Sequence, residues 1–340
     1  MAFDVRDLAA PILVAPMAGG PSTPELAAAG STAGGLGFVA AGYLTADVFA
    51  ERLSAALALT TGPVGANLFV PHRSAATPDA IDRYAAALAP ESQRYGVGLG
   101  AARFSDDDWS AKLDVLVELR PAVVSFTFGL PGAADRRRLT AAGITTVATV
   151  TTPDEARLAA DAGVDCVVAQ GPSAGGHRGT FDPTAAPSDE PLERLVAAIV
   201  ADLDLPVVAA GGLMNAGDVA RVRRSGAVAA QLGTAFLLAD EAGSSAVHRA
   251  ALTDPAFDET VVTKSFSGRY ARGLRNRFID EYEAQAPFGY PEVHYLTAPV
   301  RAAAARAGDP HAVNVWAGTG FAQARPAPAA TIIDALVGVG

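Results

Sequence analysis

The side chain best suited to proton chemistry in this sequence is a histidine set among glycines. Residues 171–180 read GPSAGGHRGT and follow the apolar run CVVAQ, so His177 lies just beyond a predicted strand. Glycine adopts positive φ readily and lets the backbone approach a ligand closely. Histidine is the side chain whose ordinary pKa lies near physiological pH. The segment therefore indicates a planar ligand beside a proton-handling group, without fixing the reaction.

Short apolar runs bounded by glycine, proline and polar residues are typical of buried strands. Such runs occupy 12–17, 37–41, 64–69, 122–128, 144–150, 165–170, 206–210 and 227–232. Between them, amphipathic stretches at 46–59, 79–88, 107–119, 153–161, 192–203 and 216–225 predict helices. Strands that alternate with helices predict a parallel sheet covered on both faces, and eight such units predict an α/β fold of the (β/α)8 TIM barrel type. A doubly wound open sheet is the alternative, but no GxGxxG follows the first strand.

The pattern changes after about residue 240. Residues 257–295 contain eight of the chain's 23 aromatic residues, interleaved with charged ones. We therefore predict a barrel formed by residues 1–239 and 314–340 and a smaller, mainly helical covering domain at 240–313. Active sites of such barrels lie beneath the loops at the strand C-termini, so the covering segment is interpreted as a lid with its own aromatic core. The final stretch, 331–340, is predicted to be a helix that packs on the barrel.

Composition excludes several classes of protein. No apolar run reaches the roughly 18 residues that a membrane helix needs, and the start MAFDVRDLAA lacks the pattern of a signal peptide. A net charge of −10 argues against nucleic acid as a partner. With the single cysteine Cys166 no internal disulfide can form, which is typical of a cytoplasmic protein, and its apolar neighbours predict a buried structural thiol. The oligomeric state is open, and a homo-oligomer is one option.

Residues that follow the predicted strands would share one rim of the barrel. They are 16–19 after the first strand, Asn67 after the third, 127–129 after the fourth, Gln170 after the sixth, Gly211 and Gly212 after the seventh, and Gly233 and Thr234 after the eighth. Loops after strands seven and eight often hold phosphate in this fold, so the last two pairs predict a phosphate-bearing ligand, either FMN or a phosphorylated metabolite. Amides such as Asn67 and Gln170 can pair with the edge of an isoalloxazine ring, but they are also common as satisfied polar residues at strand ends.

Several ordered runs together resemble one known family. They are VAPMAGG at 14–20, GANLFVP at 65–71, SFTFGLP at 125–131, VVAQGPSAGGHRGTF at 167–181, PVVAAGGL at 206–213 and AQLGTAFL at 230–237. The set is similar to the FMN-dependent nitronate monooxygenases, formerly called 2-nitropropane dioxygenases. The later runs FSGRYARGLRNRF at 266–278 and NVWAGTGF at 314–321 resemble class I members.

This resemblance implies a flavoprotein that oxidises alkyl nitronates with O2 to a carbonyl product and nitrite, with no metal. The residues implied to bind FMN are Pro16, Met17, Ala18, Asn67, Gln170, Gly175, Gly176, Gly211, Gly212, Gly233 and Thr234. His177 is implied to be catalytic, as the base for a neutral nitroalkane or as an anchor for a nitronate. Ser267 and Trp316 resemble family residues on the substrate side. Thr319 stands where the family often has glutamine, so the details of that side do not carry over.

Arginines 269, 272, 275 and 277 form the one basic cluster. They would attract an anionic substrate such as propionate 3-nitronate, or else form a surface set paired with Asp280, Glu281 and Glu283, and we favour the second interpretation. The other histidines, His72, His248, His294 and His311, lack metal-binding spacing and are interpreted as surface or packing residues.

Other functions stay open at this point. A related FMN enzyme that uses NAD(P)H, similar to enoyl-acyl carrier protein reductases or quinone reductases, would share the glycine-flanked histidine. Residues 171–175 match GxSxG, but the helix and the downstream acid and histidine of a serine hydrolase do not follow. A phosphate-binding barrel without redox activity is a third alternative.

Overall fold

The computed structural model of the chain describes residues 3–338. Its strands are β1 (Ile12–Val14), β2 (Leu36–Ala40), β3 (Val64–Phe69), β4 (Val123–Thr127), β5 (Thr145–Val150), β6 (Cys166–Gln170), β7 (Gly176–His177), β8 (Val207–Ala210), β9 (Ala229–Leu232), β10 (Thr260–Thr263) and β11 (Ala271–Leu274). Strands β1 to β6, β8 and β9 pair side by side, all in parallel, and β9 closes the ring on β1. The predicted (β/α)8 barrel is confirmed.

Seven of the eight predicted apolar runs contain one barrel strand, and β2 begins one residue before the remaining run, 37–41. The largest difference lies in the first run, 12–17, where β1 ends at Val14. Ala15 still donates its N–H to the carbonyl oxygen of Leu232, but Pro16 has no N–H and cannot extend the ladder. Residues 15–17 therefore turn out of the barrel wall at its carboxyl end.

The helices are α1 (Pro24–Thr32), α2 (Ala46–Leu59), α3 (Pro78–Ala87), α4 (Ala89–Tyr95), α5 (Trp109–Leu119), α6 (Ala133–Ala141), α7 (Pro153–Asp161), α8 (Leu192–Asp202), α9 (Ala216–Arg224), α10 (Ala246–Thr253), α11 (Arg277–Tyr282), α12 (Glu292–Arg306) and α13 (Ala329–Val337). Helices α2 and α7 have the predicted bounds, because Thr45 and Thr152 cap their first turns by accepting backbone N–H groups. None of the helices in residues 3–338 is long and apolar enough to span a membrane.

Helix α1 was not predicted, and its composition explains why. It reads PELAAAGST, and its buried face is made of small residues that give no strong apolar stripe. Small residues are needed here because α1 lies against β1 and β2 at very short range. A Cβ on Gly30 would lie 2.7 Å from Val14 Cγ2. The terminal helix α13 begins two residues before the predicted 331–340 segment and ends at Val337, while 339–340 lie outside the described residues.

A layer of side chains fills the barrel interior away from the functional rim. It contains Leu13, Phe38, Val147, Val168 and Cys166, all of them buried. Burial raises the pKa of the Cys166 thiol well above its ordinary value. The side chain is therefore a neutral packing group in the barrel core.

The covering segment, which is predicted to be mainly helical, also contains the hairpin of β10 and β11. Strand β11 also pairs antiparallel with β7, so the glycine segment after β6 becomes the third strand of a small sheet. This hairpin escaped the sequence analysis because its strands have four residues each and ARGL carries no alternating pattern. The predicted boundaries at 240 and 313 stay a prediction.

A second core lies beneath this covering segment. It joins residues of α10, α11 and α12 with Ile81 and Tyr84 of α3, and with Leu88. Glu91 of α4 is fully buried and accepts a 2.8 Å hydrogen bond from Arg277 of α11. The connection between β3 and α5 therefore packs with the covering segment, although more than 150 residues separate them in the sequence.

Gly37→Ala tests the close contact between α1 and β2. A Cβ at Gly37 would lie 2.0 Å from the carbonyl oxygen of Ala27, so the helix must move away from the barrel. We expect the free energy of unfolding to fall by about 2 kcal/mol or more, as for overpacked cores, measured by urea denaturation. Gly98→Ala is the matched control, because no atom lies within 4 Å of its Cβ position. Equal stability of the two variants would contradict the contact.

Candidate active site

A cavity of about 330 Å³ opens at the carboxyl ends of the barrel strands. Its outer wall comes from α10, α12, Phe266, Ser267 and residues 313–316. Its volume lies in the range of small-molecule sites. The structure brings every site residue predicted from the sequence to this cavity: Pro16, Met17, Ala18, Asn67, Gln170, Gly175, Gly176, His177, Gly211, Gly212, Gly233, Thr234, Ser267 and Trp316. Their individual roles stay predictions.

The glycine segment is held against the barrel by side chains and by close backbone contact. Gly176 has φ +74°, and a Cβ on Gly175 would lie 2.5 Å from the carbonyl carbon of Ala317. Arg178 is buried and donates to the carbonyl oxygens of Gly171 and Gln170. Only glycine fits at 175 without moving the neighbouring backbone, so this stretch has one well-defined path.

Gln170 also holds the segment in place. Its Nε2 donates to the carbonyl oxygen of His177 at 3.0 Å, and its Oε1 accepts the N–H of Gly179 at 2.9 Å. Both ends of this amide are therefore engaged by the segment itself. A neighbouring amide that the sequence analysis passed over is more available, because Oε1 of Gln231 is buried without a hydrogen-bond partner and Gln231 lines the cavity.

Asn67 lies on the opposite wall, at the end of β3. Its Nδ2 donates to Ser125 Oγ at 2.9 Å and to Thr127 Oγ1 at 3.1 Å. Nδ2 also donates to the carbonyl oxygen of Ser125 at 3.2 Å, and because a carbonyl can only accept, this bond assigns the nitrogen end of the amide. These bonds leave Oδ1 without a partner in the hydrogen-bond network of residues 3–338, so Asn67 presents an acceptor.

His177 lies among aromatic rings beneath the covering segment. Phe128, Tyr290 and Trp316 each approach its ring edge-on, with centroids 5.6 to 5.7 Å away. Desolvation, reinforced by the positive charges of Arg269 and Arg301, lowers the pKa of His177 to about 3. The imidazole is therefore neutral at physiological pH.

Ser267 determines which nitrogen of His177 is free. Nε2 lies 2.8 Å from Ser267 Oγ, which lies 3.2 Å from the carbonyl oxygen of Arg269. A serine hydroxyl has one proton. We assign it to the hydrogen bond with the carbonyl oxygen of Arg269, because that oxygen can only accept. Nε2 of His177 then carries its proton and donates to Ser267. Nδ1 is left as the proton acceptor, and no group of residues 3–338 hydrogen-bonds to it.

The loops after β8 and β9 form a second end of the cavity with free backbone donors. Gly211 and Gly212 have φ +122° and +72°, and a Cβ at Gly212 would lie 2.6 Å from Ser173 Cβ. Within the described chain, the N–H groups of Gly212, Gly233 and Thr234 donate to no protein acceptor. Thr234 Oγ1 accepts the N–H of Gly318 at 2.9 Å, which orients the hydroxyl. Converging unpaired N–H groups form a site for an anion such as phosphate.

Two histidines that the sequence analysis placed at the surface or in packing positions line the cavity instead. His248 Nε2 donates to the carbonyl oxygen of Trp316, 3.0 Å away, and desolvation lowers the pKa of His248 to about 4. His294 stacks on Tyr43, with ring centroids 3.9 Å apart. His72, in contrast, bonds to the carbonyl oxygen of Phe128, and His311 is exposed. In residues 3–338 no cluster of histidine, cysteine or carboxylate side chains is arranged to hold a metal ion.

The basic cluster does not reach the cavity. Arg275 pairs with Asp280 and Glu259 at the surface, as the second interpretation expected in part. Arg277 pairs with Glu281 and with the buried Glu91. Arg269 is buried over the ring of Phe128, 4.0 Å from its centroid, and Arg272 donates to backbone carbonyls. Glu283, which was expected to pair with this cluster, contacts Lys264.

Arg301 of α12 is the cavity-lining arginine, and the sequence analysis did not find it. The sequence offers no local signal for it, because it lies in the alanine-rich stretch VRAAAAR. Tyr43 was missed for a similar reason, since it lies in a turn after β2. Both residues reach the cavity only through contacts between distant parts of the chain.

Comparison with known proteins agrees with this architecture. The family model described as nitronate monooxygenase matches residues 5–338. A probable nitronate monooxygenase of Staphylococcus aureus is 36% identical over 335 residues, which cover 96% of this chain and 93% of the relative. Nitroalkane oxidase from Streptomyces ansochromogenes has a similar structure, with a TM-score of 0.93 and 46% identity over 98% of this chain and 96% of that one. FabK from Thermotoga maritima has a TM-score of 0.75 at 25% identity over 98% and 94% of the two chains. The chain belongs to the nitronate monooxygenase family.

Proposed function

We propose that this protein uses bound FMN to oxidise alkyl nitronates with O2, forming a carbonyl product and nitrite. Membership of the nitronate monooxygenase family makes it an oxidoreductase. The relative from S. aureus is a probable nitronate monooxygenase, and the relative from S. ansochromogenes is a nitroalkane oxidase. The observation that carries the proposal is a neutral His177, oriented by Ser267, in a cavity whose other end presents unpaired backbone donors.

The cavity fits FMN at two places. The free N–H groups of Gly212, Gly233 and Thr234 suit its phosphate. The unpaired Oε1 of Gln231 and the free Oδ1 of Asn67 suit the N–H and polar edge of the ring. We therefore assign these five residues to FMN, with Met17 and Gly175 beside them and Gln170 in the supporting position described above. Bound there, FMN would supply the electron acceptor for nitronate oxidation.

The protonation state of His177 favours a nitronate over a neutral nitroalkane as substrate. If His177 removed a proton from a nitroalkane, it would become a positively charged imidazolium, which the positive charges of Arg269 and Arg301 already disfavour. A pKa of about 3 makes that transfer unfavourable. A nitronate has already lost the proton, so its oxidation does not require His177 to become charged. We therefore propose preformed nitronates as the better substrates, with nitroalkanes used more slowly.

The proposed location and partners follow from general features. Cys166 is the one cysteine and is buried, so the fold needs no disulfide, which suits the reducing cytoplasm. The enclosed cavity at the barrel rim suits a small molecule and O2. We propose a cytoplasmic enzyme with these partners, whose oligomeric state is left open.

Oxygen consumption with ethyl nitronate tests the proposed reaction. We expect the purified protein to be yellow, with FMN released on denaturation, and to consume O2 without NAD(P)H. An NAD(P)H-dependent reductase is the second candidate, because FabK shares the fold over nearly the whole chain. If NAD(P)H alone bleached the flavin and nitronate caused no oxygen uptake, the reductase would be favoured.

His177→Asn tests the role of the histidine. We expect the variant to keep FMN, because the assigned FMN contacts lie elsewhere. Turnover of neutral nitroethane should fall by roughly 100-fold or more, the range for loss of a general base, and turnover of ethyl nitronate should fall much less. Oxygen-electrode kinetics with both substrates measure this. His311→Asn, at an exposed position, is the control, and equal losses with the two substrates would contradict the role as a base.

The pH dependence of nitroethane oxidation tests the pKa of His177. A base must be unprotonated, and a pKa lowered to about 3 keeps His177 unprotonated through the acidic range in which an ordinary histidine would titrate. We therefore expect kcat/KM to show no loss near the ordinary histidine pKa as the pH falls. The control is His311→Asn, an exposed histidine outside the cavity lining, which should leave the pH profile unchanged. A fall centred near pH 6.5, the ordinary value for histidine, and absent in His177→Asn, would show that the imidazole is not desolvated.

A further inference from the structure

Arg301 is the sole aspartate, glutamate, lysine or arginine among the residues that line the cavity within the described chain. The other ionisable side chains there are also neutral: the pKa values of His177, His248 and His294 are lowered, and burial raises the pKa of Tyr43. No carboxylate lines the cavity. The formal charge of the protein wall is therefore a single positive one.

The guanidinium of Arg301 is held by neutral groups alone. Nε donates to Thr297 Oγ1 at 3.0 Å, and one terminal nitrogen donates to Asn314 Oδ1 at 3.0 Å. The other donates to the carbonyl oxygen of His294 at 2.8 Å and to His294 Nδ1 at 3.3 Å. Arginine can only donate, so Nδ1 of His294 is the acceptor and carries no proton. Four of the five N–H groups are engaged, which fixes the guanidinium and leaves one free.

No acid neutralises this charge in residues 3–338. Arg277 and Arg275 each have carboxylates within 4.0 Å, but Arg301 forms no such pair. Desolvation lowers its pKa to about 10, so it stays protonated at neutral pH. A buried charge without a counter-ion is unfavourable unless a ligand supplies the opposite charge.

The surroundings of Arg301 are fixed on the cavity side. His294 stacks on Tyr43, whose backbone N–H donates to Asp107 Oδ1 at 3.0 Å. Asp107 pairs with the buried Lys112 at 2.8 Å. These contacts hold the one unpaired N–H of Arg301 in place. Within residues 3–338, none of the partners of Arg301 is a glycine assigned to phosphate, so Arg301 is available to bind a different anion.

We propose that Arg301 binds the anionic nitro group of the substrate and thereby selects nitronates over neutral nitroalkanes. This inference rests on the proposed function. A nitronate is a planar monoanion whose charge is shared by two oxygens, and a planar guanidinium suits such a group. Arg301 is then a specificity-determining residue, while His177, being neutral, adds no second charge to the site.

The test compares Arg301→Met and Arg301→Lys with the wild type, all loaded with FMN. Nitrate is the binding probe, because it is a planar monoanion with the same O–N–O group, and its Kd is measured by calorimetry and by flavin difference spectra. We expect Arg301→Met to raise the nitrate Kd and the ethyl nitronate KM by on the order of 10- to 100-fold, the range for one charge-assisted hydrogen bond. The KM for neutral nitroethane should change by less than about 3-fold, since no charge is lost to it.

Two variants separate the effect of charge from that of folding. Arg301→Lys keeps the charge and should recover part of the nitrate affinity. Arg275→Met removes a surface arginine and should resemble the wild type. If Arg301→Met does not fold, the wild-type protein still decides: nitrate must bind more tightly than uncharged nitromethane, and equal affinities would overturn the proposal.

Other results would also overturn it. Unchanged nitrate Kd in Arg301→Met would show that the anion binds elsewhere. Weakened FMN binding in that variant, with an unchanged nitronate KM once it is reloaded with FMN, would assign Arg301 to the cofactor. Failure of the proposed function has a different signature, because wild-type protein would then consume no O2 with nitronate while still binding nitrate through Arg301.

Discussion

The short antiparallel ladder between β7 and β11 is the interaction on which the site depends. It joins the glycine segment of the barrel to the hairpin of the covering segment, with His177 opposite Ala271. Ser267 precedes β11 by only a few residues, so the same pairing brings its hydroxyl to Nε2 of His177. The ladder also closes the cavity on the side of the histidine. Both the orientation of the imidazole and its desolvation follow from this one contact between distant segments.

Desolvation then sets the chemistry of the cavity. Its three histidines are neutral because the covering segment removes water from them, and the charges of Arg269 and Arg301 act in the same direction on His177. The effective dielectric constant of an enclosed cavity is lower than that of water, so the charge of Arg301, which has no counter-ion within residues 3–338, acts over a longer distance there. A neutral base and a fixed cation together suit a substrate that is already deprotonated and anionic.

The sequence was sufficient for the parts of this structure that repeat or that need glycine. The eight barrel strands were found because each is a short apolar run, and the rim residues followed from strand order. Gly175 and Gly212 lie where backbone crowding or positive φ excludes other residues, whereas Gly233 was found from its place after the last barrel strand. Arg301 and Tyr43 were not found, because each is an ordinary residue locally and reaches the cavity only through contacts between distant parts of the chain. Gln231 lies inside the predicted run of β9, and nothing in that run shows that its side-chain oxygen is unpaired. The roles of Gln170 and Asn67 depended on which hydrogen bonds each amide already makes, which no spacing reveals.

The buried ion pair between Glu91 and Arg277 has a consequence for how this enzyme can change in evolution or in the laboratory. Glu91 comes from the connection after β3, whereas Arg277 comes from the covering segment, and the carboxylate is fully buried. Replacement of the covering segment alone by that of a relative would leave this buried carboxylate with only the more distant Arg94, 3.5 Å away, unless the incoming segment supplied a second cation. New substrate ranges are therefore more accessible by exchanging the covering segment together with the connection after β3, or by single substitutions inside the cavity. Exchange of the covering segment alone requires that the new segment bring its own partner for Glu91.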